Sequence, residues 1–209
     1  MTRIAQLLAA IAVVVIVLAG LWFFAGRVTD DFIASSILTA GWFALAGLAA
    51  ILVARRVRVL AVPVVAAYLV TVGSAGVYLA SSLQDKVVNE RIAVAAPGTG
   101  NRLVSSGRFE SGAHDTSGVA RVLRLRNGSR VLTLDLRTDA GPDLRVYLAP
   151  GDGSDVDDNV DLGGLKGNIG TQQYAIPSDT DLGRYTAVVI WCRAFSVNFG
   201  SAVLRDDNA

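Results

Sequence analysis

The sequence predicts a mixed fold in which three N-terminal transmembrane α-helices precede an all-β antiparallel sandwich domain. Three long apolar stretches without a charged side chain occupy the first part of the chain and predict the helices. Short runs of alternating apolar and polar residues, separated by turn residues, follow and predict the strands. The expected organisation is a three-helix membrane anchor over residues 1–83, a linker over 84–103 and a β-sandwich domain over 104–206.

The apolar composition of the chain is concentrated in its first part. The 209 residues are 52% hydrophobic, the mean hydropathy is +0.47, and nearly all acidic residues follow Ser82. The part after Ser82 has an ordinary domain size and can bury one core. Because the formal net charge is +1 and no long run of Arg or Lys occurs, we expect no nucleic-acid partner.

The three apolar stretches each reach the length of about 20 residues that a membrane-spanning helix needs. They cover residues 4–25, 32–54 and 59–82, and short loops connect them. Intramembrane ionisable groups usually mark transport paths, and these stretches contain none, so we interpret them as an anchor in the lipid bilayer. The first stretch is longer than the apolar region of a signal peptide, and Phe23 disfavours a cleavage site at its end.

Charges in the two short loops predict the orientation in the membrane. Arg55, Arg56 and Arg58 make the second loop strongly positive, whereas Asp30 and Asp31 accompany the one arginine of the first loop. Since positive loops stay on the cytoplasmic side, we expect a multi-pass cell-membrane protein with a cytoplasmic N-terminus. The C-terminal domain is then extracytoplasmic.

The period of the apolar residues changes to that of strands after residue 101. Leu132, Leu134 and Leu136 alternate with polar residues and predict a half-buried strand with one wet face. Asn127 and Gly128 just before it predict a hairpin with the strand over 119–126. Further strands are predicted over 144–148, 172–176, 185–192 and 197–204. The run 187–192 is apolar on both faces, so we expect a central strand in the core.

Cys192, at the end of that central run, is the only cysteine of the chain. A single thiol can form no internal disulfide, so it is an inert packing residue, an intermolecular bridge, or a reactive or cofactor-binding sulfur. From the pattern alone packing is the commoner role, because cysteine is among the most buried residue types. No C-x-x-C-H motif is present, which excludes covalent c-type haem attachment.

His114 is the only histidine and lies in a glycine-rich stretch. Its neutral nitrogen can act as a metal ligand or polarise a thiol, while a turn histidine that binds loop backbone is the alternative. The acidic loop around Asp155 and Asp157 lacks both the glycine and the final glutamate of a calcium loop, so we expect no metal site there.

Four motifs, in this order, resemble the DM-thirteen domain family, an extracytoplasmic β-domain associated with DOMON-type electron-transfer modules. The first comprises Gly107, Phe109, His114 and Gly118, and the second is Gly-Pro-Asp-Leu at 141–144 with Tyr-Leu at 147–148. The third is LGGLKGNIGTQQYAIP at 162–177, and the last runs from Tyr185 through Trp191 and Cys192 to Gly200. The resemblance covers essentially the whole C-terminal domain.

The resemblance implies a redox role centred on Cys192, either as a thiol or as an axial haem ligand, with His114 as a second candidate contact to the haem. We therefore expect a membrane-anchored extracytoplasmic electron-transfer module, an oxidoreductase or an electron carrier, that exchanges electrons with a membrane or surface redox partner. The alternative is a non-redox binding or structural sandwich in which Cys192 only packs. A cysteine hydrolase is the least supported, because no oxyanion site or orienting group is recognisable.

Overall fold

The structure is a computed structural model that describes residues 2–25, 27–28 and 32–206. Over these residues the chain forms three long helices followed by eleven strands. It divides into two compact units, one helical and one β-rich.

The helical unit contains the three predicted membrane-spanning elements. They are α1 (Thr2–Phe24), α2 (Phe32–Arg56) and α3 (Ala61–Ser82), with one 3₁₀ turn, Arg58–Leu60, before α3. All three are long and apolar enough to cross a membrane by length and composition, which confirms the helices predicted from the sequence. Asp30 and Asp31, on which the predicted orientation partly rests, lie outside the described residues.

Small residues let the helices approach closely. The indole of Trp42 on α2 lies against Gly20 of α1, where a Cβ atom would overlap it. Tyr68 of α3 crosses to α2 and donates a hydrogen bond from its hydroxyl to the Phe43 carbonyl, at 2.8 Å. This combination of small residues and side-chain to backbone hydrogen bonds is typical of helix packing in membranes.

The β-rich unit is a sandwich of two sheets, as predicted. The first sheet contains, in spatial order, β1 (Val87–Asn89), β8 (Ile169–Ile176), β5 (Arg130–Thr138), β4 (Thr116–Arg124), β2 (Arg102–Arg108) and β11 (Arg205–Asp206). The second contains β3 (Glu110–Ser111), β10 (Val197–Val203), β9 (Ala187–Cys192), β6 (Leu144–Ala149) and β7 (Val160–Gly164). Pairing is antiparallel except between β1 and β8, which are parallel.

The predicted hairpin joins β4 and β5, with Arg124 opposite Arg130. Only Gly128 of the predicted turn pair adopts a positive φ, of 86°. The Asn127 side chain instead stabilises the turn by accepting hydrogen bonds from the backbone and hydroxyl of Ser129, at 3.1 and 2.7 Å. The hairpin is therefore confirmed, with the asparagine acting through its side chain.

The β9 strand is the middle strand of the second sheet, as its continuous apolar run predicts. Val188 and Ile190 are fully buried on the same strand face as Cys192. The opposite face is covered as well, because Val189 belongs to a second apolar cluster with Tyr147, Ala149, Val156 and Trp191. Burial on both faces explains the absence of polar alternation in this segment.

The wet face predicted for β5 is only partly present. Asp135 and Arg137 are exposed, but Thr133 is 1% exposed and Val131 is also buried. Residues 92–95 pass over this face and enclose with it a cavity of about 220 Å³, lined also by Leu103, Arg121, Leu123 and Thr133. Part of the predicted linker therefore packs on the domain.

Candidate functional site

Cys192 is the last residue of β9, the middle strand of the second sheet. Its lateral neighbours are Leu144 on β6 and Val197 on β10, the residues opposite it in the two antiparallel pairings. Its solvent exposure is 0%. No water-sized space therefore touches the side chain in this conformation.

The thiol of Cys192 donates a hydrogen bond to the backbone carbonyl of Pro142, with a sulfur to oxygen distance of 3.0 Å. Pro142 belongs to the turn that connects β5 to β6, which we call the cysteine turn and define as residues 139–143. Because the carbonyl can only accept, the sulfur keeps its proton in this arrangement. Apolar burial acts in the same direction, since it disfavours a thiolate.

The residue after the cysteine fastens the same turn. Arg193 donates its backbone N–H to the Asp143 carbonyl at 3.1 Å and its side-chain Nε to the Asp143 carboxylate at 2.7 Å. The hydrogen bond and the charge of Asp143 raise the pKa of Arg193 above its usual range. Asp143 itself has a φ of 55°, a left-handed conformation that is uncommon for a residue with a side chain.

His114 lies in the loop between β3 and β4. Its Nδ1 is 3.0 Å from a carboxylate oxygen of Asp139, the first residue of the cysteine turn. The imidazole stacks on the ring of Phe199, with a centroid distance of 3.9 Å and an interplanar angle of 23°. The same Phe199 ring packs against Gly141, where a Cβ atom would come within 2.8 Å of its Cζ.

The cysteine turn therefore connects the two predicted site residues. Asp139, at its start, binds His114, and Pro142, three residues later, binds Cys192. Two buried threonines hold the start of this turn to the opposite sheet. The Thr138 hydroxyl is 2.7 Å from that of Thr116, and Thr116 donates to the carbonyl of Phe199 at 2.9 Å.

Sequence reasoning identified Cys192 and His114 but missed their partners. Pro142 and Asp139 are distant from them in sequence, and no periodic pattern links the two pairs. The turn signal at 140–143 was the available hint, since it predicts a sharp turn but no contact. Trp191 lies on the opposite face of β9 from Cys192 and packs with Tyr147, so it is a core aromatic in this structure.

The geometry at Cys192 does not fit a haem ligand in this conformation. A haem iron bound to the sulfur would need open space beside it, whereas Cys192 is 0% exposed, and the sulfur would have to lose the proton it donates to Pro142. The cavity beneath residues 92–95 contains neither Cys192 nor His114 among its lining residues. Among the described residues, no group of three or more His, Cys, Asp or Glu side chains is arranged to hold a metal ion.

The glycine-rich stretch 165–170 carries a second polar cluster. Lys166 donates from Nζ to both carboxylate oxygens of Glu90, at 2.8 and 2.9 Å, and to the Gln173 carbonyl at 2.7 Å. The hydrogen bond from Lys166 and one from the Gln173 backbone lower the pKa of Glu90. Burial raises the pKa of the neighbouring Tyr174 to about 12, so this phenol stays protonated and donates to Gln172.

A family of known proteins matches the segment that contains Cys192, His114, the cysteine turn and the glycine-rich stretch. Residues 108–204 match the family Electron transfer DM13. The resemblance predicted from the four motifs is thus confirmed for the C-terminal half, and we call this segment the DM13 domain. No curated protein and no solved structure matches the chain significantly. The three helices and residues 85–95 lie outside the DM13 match.

Proposed function

We propose that the chain is a membrane-anchored electron-transfer module in which the thiol of Cys192 is the redox group. The observation that carries the proposal is the place of this thiol. It is the only thiol of a segment that matches an electron-transfer family, and it is hydrogen-bonded to a turn that also binds the only histidine. The match suggests a redox-related role, and the residue assignment is our own.

Burial favours electron transfer over bond exchange at this sulfur. Thiol exchange and peroxide oxidation need a reagent in contact with the sulfur, and Cys192 has no exposed surface. An electron can leave across a few ångströms of protein without such contact. In the proposed step the thiol loses one electron to a one-electron acceptor on a redox partner, and its proton, held by the Pro142 carbonyl, passes to water when the cysteine turn opens. The reverse step restores the thiol.

The proposed location follows from the helices and the charges of the loops. Three helices anchor the chain in the bilayer, and the positive second loop favours a cytoplasmic position for that loop. The DM13 domain then faces the outside, where its partner is a surface or membrane redox protein. We assign no step to haem, because the sulfur has no room for it in this conformation.

A titration of the full chain in detergent micelles tests the role of Cys192. One-electron oxidants of graded potential are added to the native protein, and the remaining thiol is counted after unfolding. We expect the native chain to consume one equivalent in a step that Cys192→Ser lacks. Equal consumption by both proteins would refute the proposal. A visible haem spectrum that persists in Cys192→Ser would place the redox group elsewhere.

The second candidate function is a non-redox binding or structural sandwich. The complete burial of Cys192 favours it, since a buried cysteine commonly packs as a small apolar residue. Under this alternative no oxidant acts on the thiol below the concentration that unfolds the domain. The same titration therefore separates the two functions.

A further inference from the structure

The segment after α3 docks on the DM13 domain as a strap, which we define as residues 85–95. Its strand β1 pairs in parallel with β8, from Val87 opposite Ile169 to Asn89 opposite Thr171. Beyond the strand, the Glu90 N–H donates to the Thr171 carbonyl at 2.9 Å, and the Ala93 N–H donates to the Gln173 side chain at 2.8 Å. The strap is thus an edge strand of the first sheet.

Glycines of the LKGN stretch make room for the strap. A Cβ atom at Gly167 would overlap the carbonyl of Lys86, and one at Gly170 would overlap the carbonyl of Val88. Gly170 also has a φ of 107°, which disfavours any other residue. The ion pair of Lys166 with Glu90 fastens the middle of the strap. The surface of β8 and its preceding loop therefore has the shape of a receptor for this extended segment.

Asn168 joins the strap to the interior of the domain. Its side-chain oxygen accepts the Lys86 N–H at 2.7 Å, and its amide donates to Asp85 at 2.8 Å and to the Thr138 carbonyl at 2.9 Å. The Thr138 N–H in turn donates to the Asn168 carbonyl at 2.9 Å. Asn168 is 4% exposed and its bond to the Thr138 carbonyl is buried, so losing that bond is costly, whereas its bonds to Asp85 and Lys86 are partly buried.

Thr138 is the last residue of β5 and directly precedes the cysteine turn. Its hydroxyl is 2.7 Å from that of Thr116, which binds the carbonyl of Phe199. The next residue, Asp139, binds His114, and Pro142 binds Cys192. Hydrogen bonds from the strap to Asn168 and from Asn168 to Thr138, followed by the backbone of residues 138–142, therefore connect the strap to the site.

We propose that docking of the strap controls the closure of the cysteine turn over Cys192, with Asn168 and Thr138 as the positioning residues that couple the two. When the strap leaves, Asn168 loses its partners at Asp85 and Lys86 and stops fixing the end of β5. The cysteine turn then opens more often and exposes the thiol. The strap is the segment that joins the anchor to the DM13 domain in sequence, so the anchor has a route to the site.

Two variants undock the strap by different physical means. Glu90→Gln removes the charge that Lys166 binds, and Gly167→Ala places a methyl group where the Lys86 carbonyl lies. Gly164→Ala is the matched control for the second, because the nearest atom to its added Cβ is 3.8 Å away. Asp158→Asn is the control for the first, since it removes an ion pair with Arg184 that touches neither the strap nor the cysteine turn.

Two measurements on the full chain in detergent micelles report separately on undocking of the strap and on opening of the cysteine turn. Trypsin cleavage after Arg91 reports undocking of the strap, because proteolysis needs a locally opened segment. Alkylation of the single cysteine by a maleimide reports opening of the cysteine turn. We expect Glu90→Gln and Gly167→Ala to raise both rates on the order of tenfold, and the two controls to leave both unchanged.

Thr138→Val tests the route itself, since it removes the hydroxyl bond to Thr116 at nearly constant volume. It should raise alkylation of Cys192 while cleavage at Arg91 stays at the native rate. If undocking variants speed cleavage but leave alkylation unchanged, the coupling is refuted. The meaning of the coupling for function rests on the proposed redox role of Cys192. The test does not, because labelling and cleavage require no electron transfer.

Discussion

At the scale of single residues, the cysteine turn and Cys192 stabilise each other. The sulfur fills a place with no exposed surface and supplies the hydrogen that Pro142 accepts. We predict that Cys192→Ala lowers the free energy of unfolding by about 1–3 kcal/mol, because it leaves a void and an unpaired buried carbonyl. Chemical unfolding followed by circular dichroism measures the change. Val203→Ala, at an exposed position of β10, should cost clearly less.

Asp143 contributes through both its backbone and its carboxylate, and two substitutions separate these effects. Asp143→Gly keeps the φ of 55° accessible and removes the ion pair with Arg193, with the added entropic cost of ordering a glycine. Asp143→Ala removes the ion pair and adds left-handed strain, so it should be less stable than the glycine variant by about 1–2 kcal/mol. Thermal unfolding of the two variants measures this difference. Equal stabilities would show that the turn relaxes to another conformation.

At the scale of elements, the β4 and β5 pair depends on a glycine with an unusual backbone. Gly118 has a φ of 128°, and a Cβ atom there would overlap the carbonyl of Asp135 on β5. Gly118→Ala should therefore cost more than about 3 kcal/mol or prevent folding, whereas Gly164→Ala on β7 should fold normally. Expression yield and unfolding midpoint of the two proteins provide the measurement. A stable Gly118→Ala variant would contradict this account of the pair.

The ion pair of the strap gives its docking a dependence on pH. Lys166 and the Gln173 N–H lower the pKa of Glu90 below its ordinary value of 4.5. A carboxyl with a lowered pKa contributes its full stabilisation above the unfolded value and loses it as pH falls through the folded value. We therefore predict that amide protection at 87–93 weakens below about pH 4.5 and is constant above it.

Hydrogen exchange with correction for the intrinsic rate measures this protection. Glu90→Gln should show weaker protection at neutral pH and no further weakening as the pH falls through the range where Glu90 titrates in the native protein. Amides of β9, which belongs to the other sheet, should keep their protection in both proteins. If Glu90→Gln retained the native pH dependence, another group would be responsible.

Most of the longer elements could be predicted from the sequence, but the interior strand β2, with seven residues, and the edge strands could not. Alternation found β5, β6 and β10, and a continuous apolar run found β9, because burial in a sheet leaves a pattern with a fixed period. The strands β1, β3 and β11 have only two or three residues and too few positions to show one. The strap has no regular apolar pattern. Its docking depends on glycines of the LKGN stretch and on the ion pair of Glu90 with Lys166, 76 residues away in sequence.

The candidate site could likewise be predicted only in part: its reactive residues, but not their surroundings. The chemistry of Cys192 and His114 is visible in the sequence, because each is the only residue of its type. Their environment is not visible, since the partners Pro142 and Asp139 are 50 and 25 residues away. The full burial of the sulfur also follows only from the packing of three strands around it. Because an axial haem ligand needs open space beside the sulfur, this burial favours a thiol role over haem ligation.

At the scale of the whole molecule, the function requires that the anchor and the DM13 domain occupy the expected sides of the bilayer. The second loop carries Arg55, Arg56 and Arg58, which favour the cytoplasm. Lys86 and Arg91 lie on the other flank of α3, but Asp85 and Glu90 accompany them, and Glu90 is engaged by Lys166. The balance of charge is therefore consistent with the proposed orientation, in which the second loop is inside and the domain outside.

Single cysteines in a Cys192→Ser background test this orientation in intact cells. We predict that a membrane-impermeant maleimide labels Asn127→Cys, in the exposed hairpin of the domain, but labels Val57→Cys only after lysis. Both positions are exposed, so a difference in labelling reports the side of the membrane and not burial. The reverse pattern would place the DM13 domain in the cytoplasm. It would then exclude an electron partner at the outer surface while leaving the coupling of strap and cysteine turn intact.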